Sequence, residues 1–507
     1  MERMPSRALR LALAAVRRLS TASSLASAPE SAPAVVKKDL RPLYRRLSAL
    51  GGAPDGSVAK VLNKWVREGK TVTSPELIKQ VKELRKYGKY GSAIEVVDWM
   101  VKTKGMNLSI TNHAIYLDLV SKVKGIESAE LYFSSLPEAG KKQQTYGALL
   151  NCYCNEKLPE KAIPLYEKMK KLGLASNNLV QNNMMAFYMK LGQPEKAQRQ
   201  FEEMKSENIA PDNFSYCILM NSYASKGDID SVEEVVQDME EASDITLTWS
   251  AYSTLAGIYN AAGLFEKAEA ALKKLEQLID SRDREPYHFL MTLYASTGNL
   301  AEVNRVWKSL KTTFPKLTNM SYLIILQALN KLDDLDGMER CFKEWESVHV
   351  AYDARLMNLM IGAYLRKDMI KDAESLEAGA SLRVSQFDFK TAELFIDYHL
   401  KKQEMGPALK WLKEASSHVK PDKWKLNGDH VKMFLKNYEE AKDVKGAEEF
   451  CAILKQFKRL DSRAYDALIR TYAAAGKKEP SLQQRIKEDQ IILSSKTKKM
   501  LDRISKA

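Results

Sequence analysis

The 507-residue chain has no uninterrupted run of eighteen or more apolar residues, which excludes a membrane-spanning helix of ordinary length. Cysteine is scarce as well, because five scattered cysteines are too few for a disulfide framework. This scarcity indicates a reducing or matrix-like compartment. Only 23 glycines and 16 prolines occur, while Lys, Glu, Leu, Ala and Met dominate. The composition favours an all-α protein, and the length predicts several domains or a repeat array.

The residue patterns of common enzyme and metal sites are missing too. Six histidines stand alone with no H-E-x-x-H pair, and no glycine-rich phosphate loop occurs. Cys152 and Cys154 are spaced C-x-C in a predicted helix, so their thiols point to different faces and we interpret them as structural. We therefore predict no metal, no cofactor, no small-molecule substrate and no enzymatic activity.

The net charge of +13 arises from 78 Lys and Arg against 65 Asp and Glu. Residues 1–28 contribute +4, and the tail from Arg485 onward contributes another +4. The body between them keeps about +5. This mild bias permits nucleic acid as a partner without demanding it.

The N-terminus, residues 1–28, is rich in Arg, Ser and Ala and carries no acid after Glu2. In a helix, its first arginines fall on one side and Leu9 and Leu13 fall largely on another. Such an amphipathic, acid-poor segment is typical of an organellar transit peptide, and the high arginine content favours mitochondria over the chloroplast. We predict a location in the mitochondrial matrix, with a disordered basic tail as the alternative.

A 35-residue period runs through the middle of the chain. One ladder of mostly aromatic residues recurs with spacings of 35, 35, 36, 35, 35 and 35, and two further ladders keep the same step. Each period contains two amphipathic helical patterns, commonly separated by glycine. Because a lone helical hairpin cannot bury its apolar face, we predict an all-α, right-handed α-solenoid of stacked hairpins. The first ladder is Tyr146, Gln181, Tyr216, Tyr252, Tyr287, Tyr322 and Met357.

The unit at residues 178–212, NLVQNNMMAFYMKLGQPEKAQRQFEEMKSENIAPD, resembles the pentatricopeptide repeat family. The likeness extends over about eleven or twelve units at residues 73–483, and it is clearest at 143–388. We expect an N-terminal segment at 29–72 before the array and a basic tail at 484–507 after it. The resemblance implies a plant organellar member of the P class, because no zinc motif of the editing extension follows Asp461. The 34-residue tetratricopeptide repeat fits less well.

The resemblance also implies how a unit would read single-stranded RNA. In this family, one readout position follows the aromatic position of the first helix, and the other is the last residue of the unit. The residue three places before the first readout position helps to sandwich the base. These positions here are Asn182 with Asp212, flanked by Leu179 and Phe214, and this pair implies a preference for uracil.

The remaining units match the readout pattern less well. Asn and Asp also cap helices, so each pair has a structural interpretation beside the RNA-binding one. Partial matches are Asn358 with Asp388, where Arg355 and Lys390 replace the apolar flanks, Ser253 with Asp283, and Gly147 with Asn177. Open departures at the first readout position are Cys217, His288, Leu323, Glu393 and Lys432.

These observations lead to one functional hypothesis and two alternatives. We predict a non-catalytic mitochondrial RNA-binding protein that acts in the stabilisation, processing or translation of organellar RNA. The degenerate readout positions leave open a structural role in the mitochondrial ribosome, with ribosomal RNA and ribosomal proteins as partners. In that case RNA contact would use the backbone and lysines such as Lys168, Lys170 and Lys171. A protein-interaction scaffold of the tetratricopeptide kind is the second alternative.

Overall fold

The computed structural model describes residues 42–50, 56–241, 247–280, 282–348, 353–381, 389–418 and 427–505. Regular structure in these residues comprises 27 α-helices and one short 3-10 turn, with no strand. None of these helices is both long and apolar enough to cross a membrane. The chain divides into two compact units, Met1–Pro286 and Tyr287–Ala507, and each is described by itself.

The first unit contains fourteen complete helices in the described residues. After two short leading helices, they alternate as the first and second helices of successive hairpins. In chain order they are α1 Leu43–Ser48, α2 Ser57–Arg67, α3 Ser74–Lys86, α4 Tyr90–Lys104, α5 Ile110–Lys124, α6 Ile126–Ser135, α7 Gln143–Glu156, α8 Pro159–Lys171, α9 Asn178–Lys190, α10 Pro194–Ser206, α11 Asn213–Ala224, α12 Ile229–Glu241, α13 Trp249–Ala261 and α14 Phe265–Gln277.

The second unit continues the alternation, and its first helix begins at the boundary. These helices are α15 Glu285–Ser296, α16 Leu300–Thr313, α17 Asn319–Lys331, α18 Leu335–Val348, α19 Ala354–Arg366, α20 Ile370–Ser381, α21 Phe389–Lys401, α22 Met405–Ser417, α23 Gly428–Ala441, α24 Val444–Gln456, α25 Ser462–Ala474, α26 Leu482–Glu488 and α27 Ser495–Ser505. The predicted all-α solenoid of two-helix units is confirmed.

Local sequence signals explain where these helices begin and end. Pro159 and Pro194 open the second helices α8 and α10, where the missing N–H has no partner to lose. The predicted turn glycines Gly227 and Gly263 both have φ of 78°, a conformation that is costly for other residues. Each hairpin turn is therefore set by its own residues.

The periodic ladders form the core. Ala162, Ala197, Val232 and Ala268 are fully buried at the same place in successive second helices, and Met169 is also fully buried. Several first helices pack against their own second helix and, as α9 does with α11, against the next first helix of the same unit. A buried side chain the size of Met contributes roughly 1.5–3 kcal/mol, so stacking supplies the stability that a single hairpin lacks.

Helices also cover both ends of the array. In the segment before it, Leu47 of α1 and Leu62 of α2 are fully buried. In the predicted tail, α27 buries Leu501 and Ile504, and the Ile504 carbonyl accepts a hydrogen bond of 2.9 Å from the Glu479 N–H. The predicted array boundary at residue 483 falls within α26. The predicted transit peptide, residues 1–28, lies outside the described residues.

Candidate nucleic-acid interface

Equivalent positions of successive first helices lie next to each other. In the first unit, the Nζ atom of Lys190 on α9 donates to Oδ1 of Asn155 on α7 at 2.9 Å. In the second unit, Nζ of Lys331 on α17 donates to Oγ of Ser296 on α15 at 2.6 Å. Both pairs are 35 residues apart, which is one repeat. The first helices therefore present matching side chains along a common row within each unit.

The predicted readout pair Asn182 and Asp212 is brought together by a third residue, Ser215. Nδ2 of Asn182 donates to Oδ1 of Asp212 at 3.0 Å, and Oγ of Ser215 donates to Oδ1 of Asn182 at 2.7 Å. Asp212 is also the N-cap of α11, because the same carboxylate oxygen accepts from the Ser215 N–H at 2.9 Å. The pair thus joins two neighbouring first helices.

This cluster leaves Asn182 only 2% exposed. Its amide retains one N–H and one carbonyl lone pair beyond the two bonds that it makes. A base edge can reach these groups only if the bonds to Asp212 and Ser215 open. The flanking Leu179, by contrast, is 58% exposed and presents an apolar surface suited to a base face, and Phe214 is partly exposed.

The hydroxyl partner of Asn182 recurs in other units and was missed in the sequence. Thr391 donates through Oγ1 to Oδ1 of Asn358 at 2.6 Å, and Nε2 of His288 lies 3.0 Å from Oγ of Ser321. In all three cases the hydroxyl residue follows the readout residue by 33 positions. This constant spacing of 33 residues could have identified the hydroxyl partner from the sequence. The partner predicted for Asn358, Asp388, lies outside the described residues.

The other predicted last-position residues act as helix caps. Asn177 accepts the Val180 N–H at 3.0 Å, and Asp283 accepts the Glu285 N–H at 2.9 Å. Ser253 is 7% exposed, and no hydrogen bond joins it to Asp283 in the part of the chain that the structure describes. The structure therefore does not bring Ser253 and Asp283 together as it does Asn182 and Asp212.

The cations at the degenerate flanking positions are paired locally. Arg355 forms a two-bond contact with Asp353, with Nε to Oδ1 at 2.9 Å and Nη2 to Oδ2 at 2.7 Å. These hydrogen bonds raise the pKa of the Arg355 guanidinium. Lys390 pairs with Glu393 at 2.9 Å. Both side chains carry a neutralising acid, which weakens them as phosphate ligands.

Second-helix lysines are paired in the same way, one repeat apart. Lys170 contacts Glu203, and it also lies 3.1 Å from Glu207. The hydrogen bond to Glu203 is the main reason that the pKa of Lys170 is raised. The expectation that Lys170 is available to the RNA backbone is therefore weakened, because two carboxylates already hold it.

The described residues contain no group of three or more His, Cys, Asp or Glu side chains that could hold a metal ion. Cys152 and Cys154 are buried without a disulfide. Burial raises the pKa of Cys152 to about 11 and that of Cys154 to about 12, so neither thiol is activated as a nucleophile.

Comparison with known proteins identifies the family to which this repeat belongs. The sequence profile described as "PPR repeat family" matches residues 177–225, and the profile "PPR repeat" matches 144–174 and 214–243. A mitochondrial pentatricopeptide repeat-containing protein of Arabidopsis thaliana is 42% identical over 465 residues, spanning 91% of this chain and 86% of that protein. The chain belongs to the pentatricopeptide repeat family. The predicted mitochondrial location is confirmed at the level of the compartment.

Two further proteins are similar to this chain. The large ribosomal subunit protein mL101 of Arabidopsis thaliana is 43% identical over 467 residues, which span 92% of this chain and 95% of that protein. The crystal structure of the pentatricopeptide repeat protein PPR10 from maize is 17% identical, with a TM-score of 0.35. That similarity extends over 100% of this chain and 76% of the maize chain.

Proposed function

We propose that this pentatricopeptide repeat protein binds single-stranded organellar RNA in mitochondria and acts on it without catalysis, by stabilisation, processing or support of translation. The observation that carries the proposal is the common row formed by equivalent first-helix positions, as in the contact of Lys190 with Asn155 one repeat away. A strand with evenly spaced bases can be met by evenly spaced side chains.

The best-formed unit supplies the chemistry of one base site. Leu179 is more than half exposed and offers an apolar face against which a base can stack, a contact of roughly 1–3 kcal/mol. Asn182 and Asp212 offer donors and acceptors to the base edge once their mutual bond opens. Opening this bond costs part of the binding energy, so we expect each unit to add only modest affinity. Recognition of a particular RNA sequence should therefore depend on several units.

Crosslinking in intact mitochondria followed by RNA sequencing tests the proposal. We expect a discrete set of organellar RNAs, and we expect fewer crosslinks at these RNAs for a variant that carries Asn182→Ala and Asp212→Ala. A matched control is Asn299→Ala, because Asn299 caps the second helix α16 and lies away from the readout positions. Recovery of no RNA above background from purified mitochondria would refute RNA binding.

The proposal that binding is non-catalytic has its own test. We expect labelled RNA incubated with excess protein, with and without divalent cations, to keep its length and base composition. New ends or altered bases that disappear with a single side-chain substitution would show a catalytic activity.

A structural role in the mitochondrial ribosome is the second candidate. It is favoured by the similarity to the ribosomal protein mL101 and by the readout positions that lack Asn, Ser or Thr, such as Leu323 and Lys432. Sedimentation of mitochondrial lysate distinguishes the two roles. Stable migration with the large subunit in high salt supports the ribosomal role, and release into light fractions supports a free RNA-binding factor.

A further inference from the structure

The positive charge of the chain is unevenly distributed. Residues 56–89, which form α2, α3 and the turn after them, hold nine Lys and Arg against three Glu. Residues 90–484, which include most of the repeats, hold 52 Lys and Arg against 55 Asp and Glu. Residues 90–484 are therefore slightly acidic as a whole, and the excess of cations in the body lies N-terminal to them. RNA affinity that depends on phosphate neutralisation needs such an excess.

Helix α2 presents one row of cations to solvent. Lys60, Lys64 and Arg67 follow the i, i+4, i+7 spacing and are all exposed. Val58 and Leu62, on the opposite side of the helix, are at most 1% exposed. The buried side holds the helix against the core, so the row has a fixed direction.

Two contacts anchor α2 further. Nε1 of Trp99 on α4 donates to Oδ1 of Asn63 at 3.0 Å. The ring of Trp65 contacts two cations, the Arg46 guanidinium at 4.7 Å from its centroid and the Lys70 ammonium at 3.9 Å. The anchored helix loses little conformational entropy when a ligand binds its exposed row.

Helix α3 carries a second row. Lys79, Lys82 and Lys86 follow the i, i+3, i+7 spacing and are exposed, opposite the fully buried Leu77 and Val81. This helix is fixed by the pair of Arg85 with Asp118 on α5 at 2.6 Å and by a capping box at Thr73. Its row is thus presented by a rigid element at the start of the array.

The six side chains of these two rows share one property: none lies within 4 Å of a carboxylate of the described residues. Several lysines on later second helices are paired instead, such as Lys311 with Glu344 at 3.1 Å and Lys413 with Glu449 at 2.6 Å. A cation without a partner acid can release counterions from RNA, whereas a paired one first has to break its ion pair.

We propose that α2 and α3 form a sequence-independent binding site for the RNA phosphate backbone, separate from the base-reading positions of the repeats. The proposal rests on the proposed function only in that the partner is RNA. In this arrangement α2 and α3 supply most of the electrostatic affinity, and the slightly acidic repeats that follow them contribute base contacts. Degenerate readout positions are then compatible with firm binding, because the electrostatic share of the affinity does not depend on them.

The test measures the salt dependence of binding to a fluorescent 20-nucleotide oligo(U) RNA, with the full chain. Two variants each remove three cations: Lys60→Gln, Lys64→Gln, Arg67→Gln on α2, and Lys79→Gln, Lys82→Gln, Lys86→Gln on α3. A site with three phosphate contacts adds about 2 to the slope of log affinity against log salt, so its loss removes a roughly 20-fold change between 50 and 200 mM salt. We expect at least one of the variants to lose this share of the dependence.

The matched control is the variant Lys496→Gln, Lys499→Gln, Arg503→Gln. It removes the same charge with the same i, i+3, i+7 spacing from exposed positions of α27. We expect it to keep the wild-type slope. Wild-type slopes in both N-terminal variants would overturn the proposal, as would binding of the wild type to phosphatidylserine vesicles in place of RNA. Wild-type protein that ignores every RNA at low salt would instead refute the proposed function.

Discussion

Replacing Asp212 by alanine removes three contacts of one carboxylate oxygen, those with the Asn182 amide, the Ser215 N–H and the Ser215 hydroxyl. The N-terminus of α11 loses its cap, which costs about 1 kcal/mol. The amide of the buried Asn182 loses its charged acceptor at 3.0 Å, a loss of about 1.5–3 kcal/mol when the acceptor is fully screened from water. Because Asp212 itself is exposed, we take the lower end and expect a total loss of about 2.5 kcal/mol.

A double-mutant cycle with Asn182→Ala isolates the shared hydrogen bond. Alone, Asn182→Ala should cost about 1 kcal/mol, because Oγ of Ser215 keeps its 3.0 Å bond to Asp212. The double variant should lose about 1 kcal/mol less than the sum, because the two residues are in direct contact. Urea unfolding gives the three free energies, and hydrogen exchange of the first turn of α11 localises the effect. Additivity within about 0.3 kcal/mol would refute the link.

The same variants test whether the unit reads a base. With an oligo(U) RNA, each single variant should weaken binding by no more than the roughly 1–3 kcal/mol of one base contact. Equal binding of all four proteins to every RNA would assign the cluster a purely structural role.

Three further predictions concern the rest of the chain. A methyl group on Gly446 would overlap the Tyr438 ring, so Gly446→Ala should lower the free energy of unfolding in urea by about 1–3 kcal/mol. Gly147 has open space around it, so Gly147→Ala should raise the free energy of unfolding by about 0.5–1 kcal/mol. Burial raises the pKa of Tyr166 to about 12, so the folded state keeps a proton that the unfolded chain loses above pH 10. The free energy of unfolding should stay constant as pH approaches 10 and fall as pH rises from 10 towards 12. A urea midpoint that does not change between pH 10 and 12 would contradict this prediction. Ile504→Ala should cost about 2–5 kcal/mol and speed hydrogen exchange in α25 but not in α9, because repeats couple mainly to their neighbours.

The hairpin architecture was predictable because the 35-residue period indicates both where the helices lie and which of their residues are buried. The ladders through Ala162 and Met169 are fully buried, as their regular spacing implied. Turn residues such as Gly227 then set where each helix ends. These signals are local and repeat many times, so errors in a single unit do not change the overall prediction.

The candidate site was only partly predictable. The pairing of Asn182 with Asp212 followed from the family pattern, but the hydroxyl of Ser215 that closes over the amide did not. The ion pair that Arg355 forms with Asp353 in the structure was not predicted from the sequence either. A hydrogen bond or an ion pair is decided within about 4 Å, a precision that spacing along the chain does not provide.

The sequence alone thus determined family membership, helix positions and the concentration of positive charge at residues 56–89. Repeat period, helix propensity and charge are properties of the amino-acid sequence itself. Which polar groups remain available to RNA was decided only on folding. Ser215 comes within 2.7 Å of Asn182 solely because one first helix packs against the next, 33 residues further along. The six cations of the α2 and α3 rows stay exposed for the complementary reason, since no carboxylate of the described residues lies within 4 Å of them.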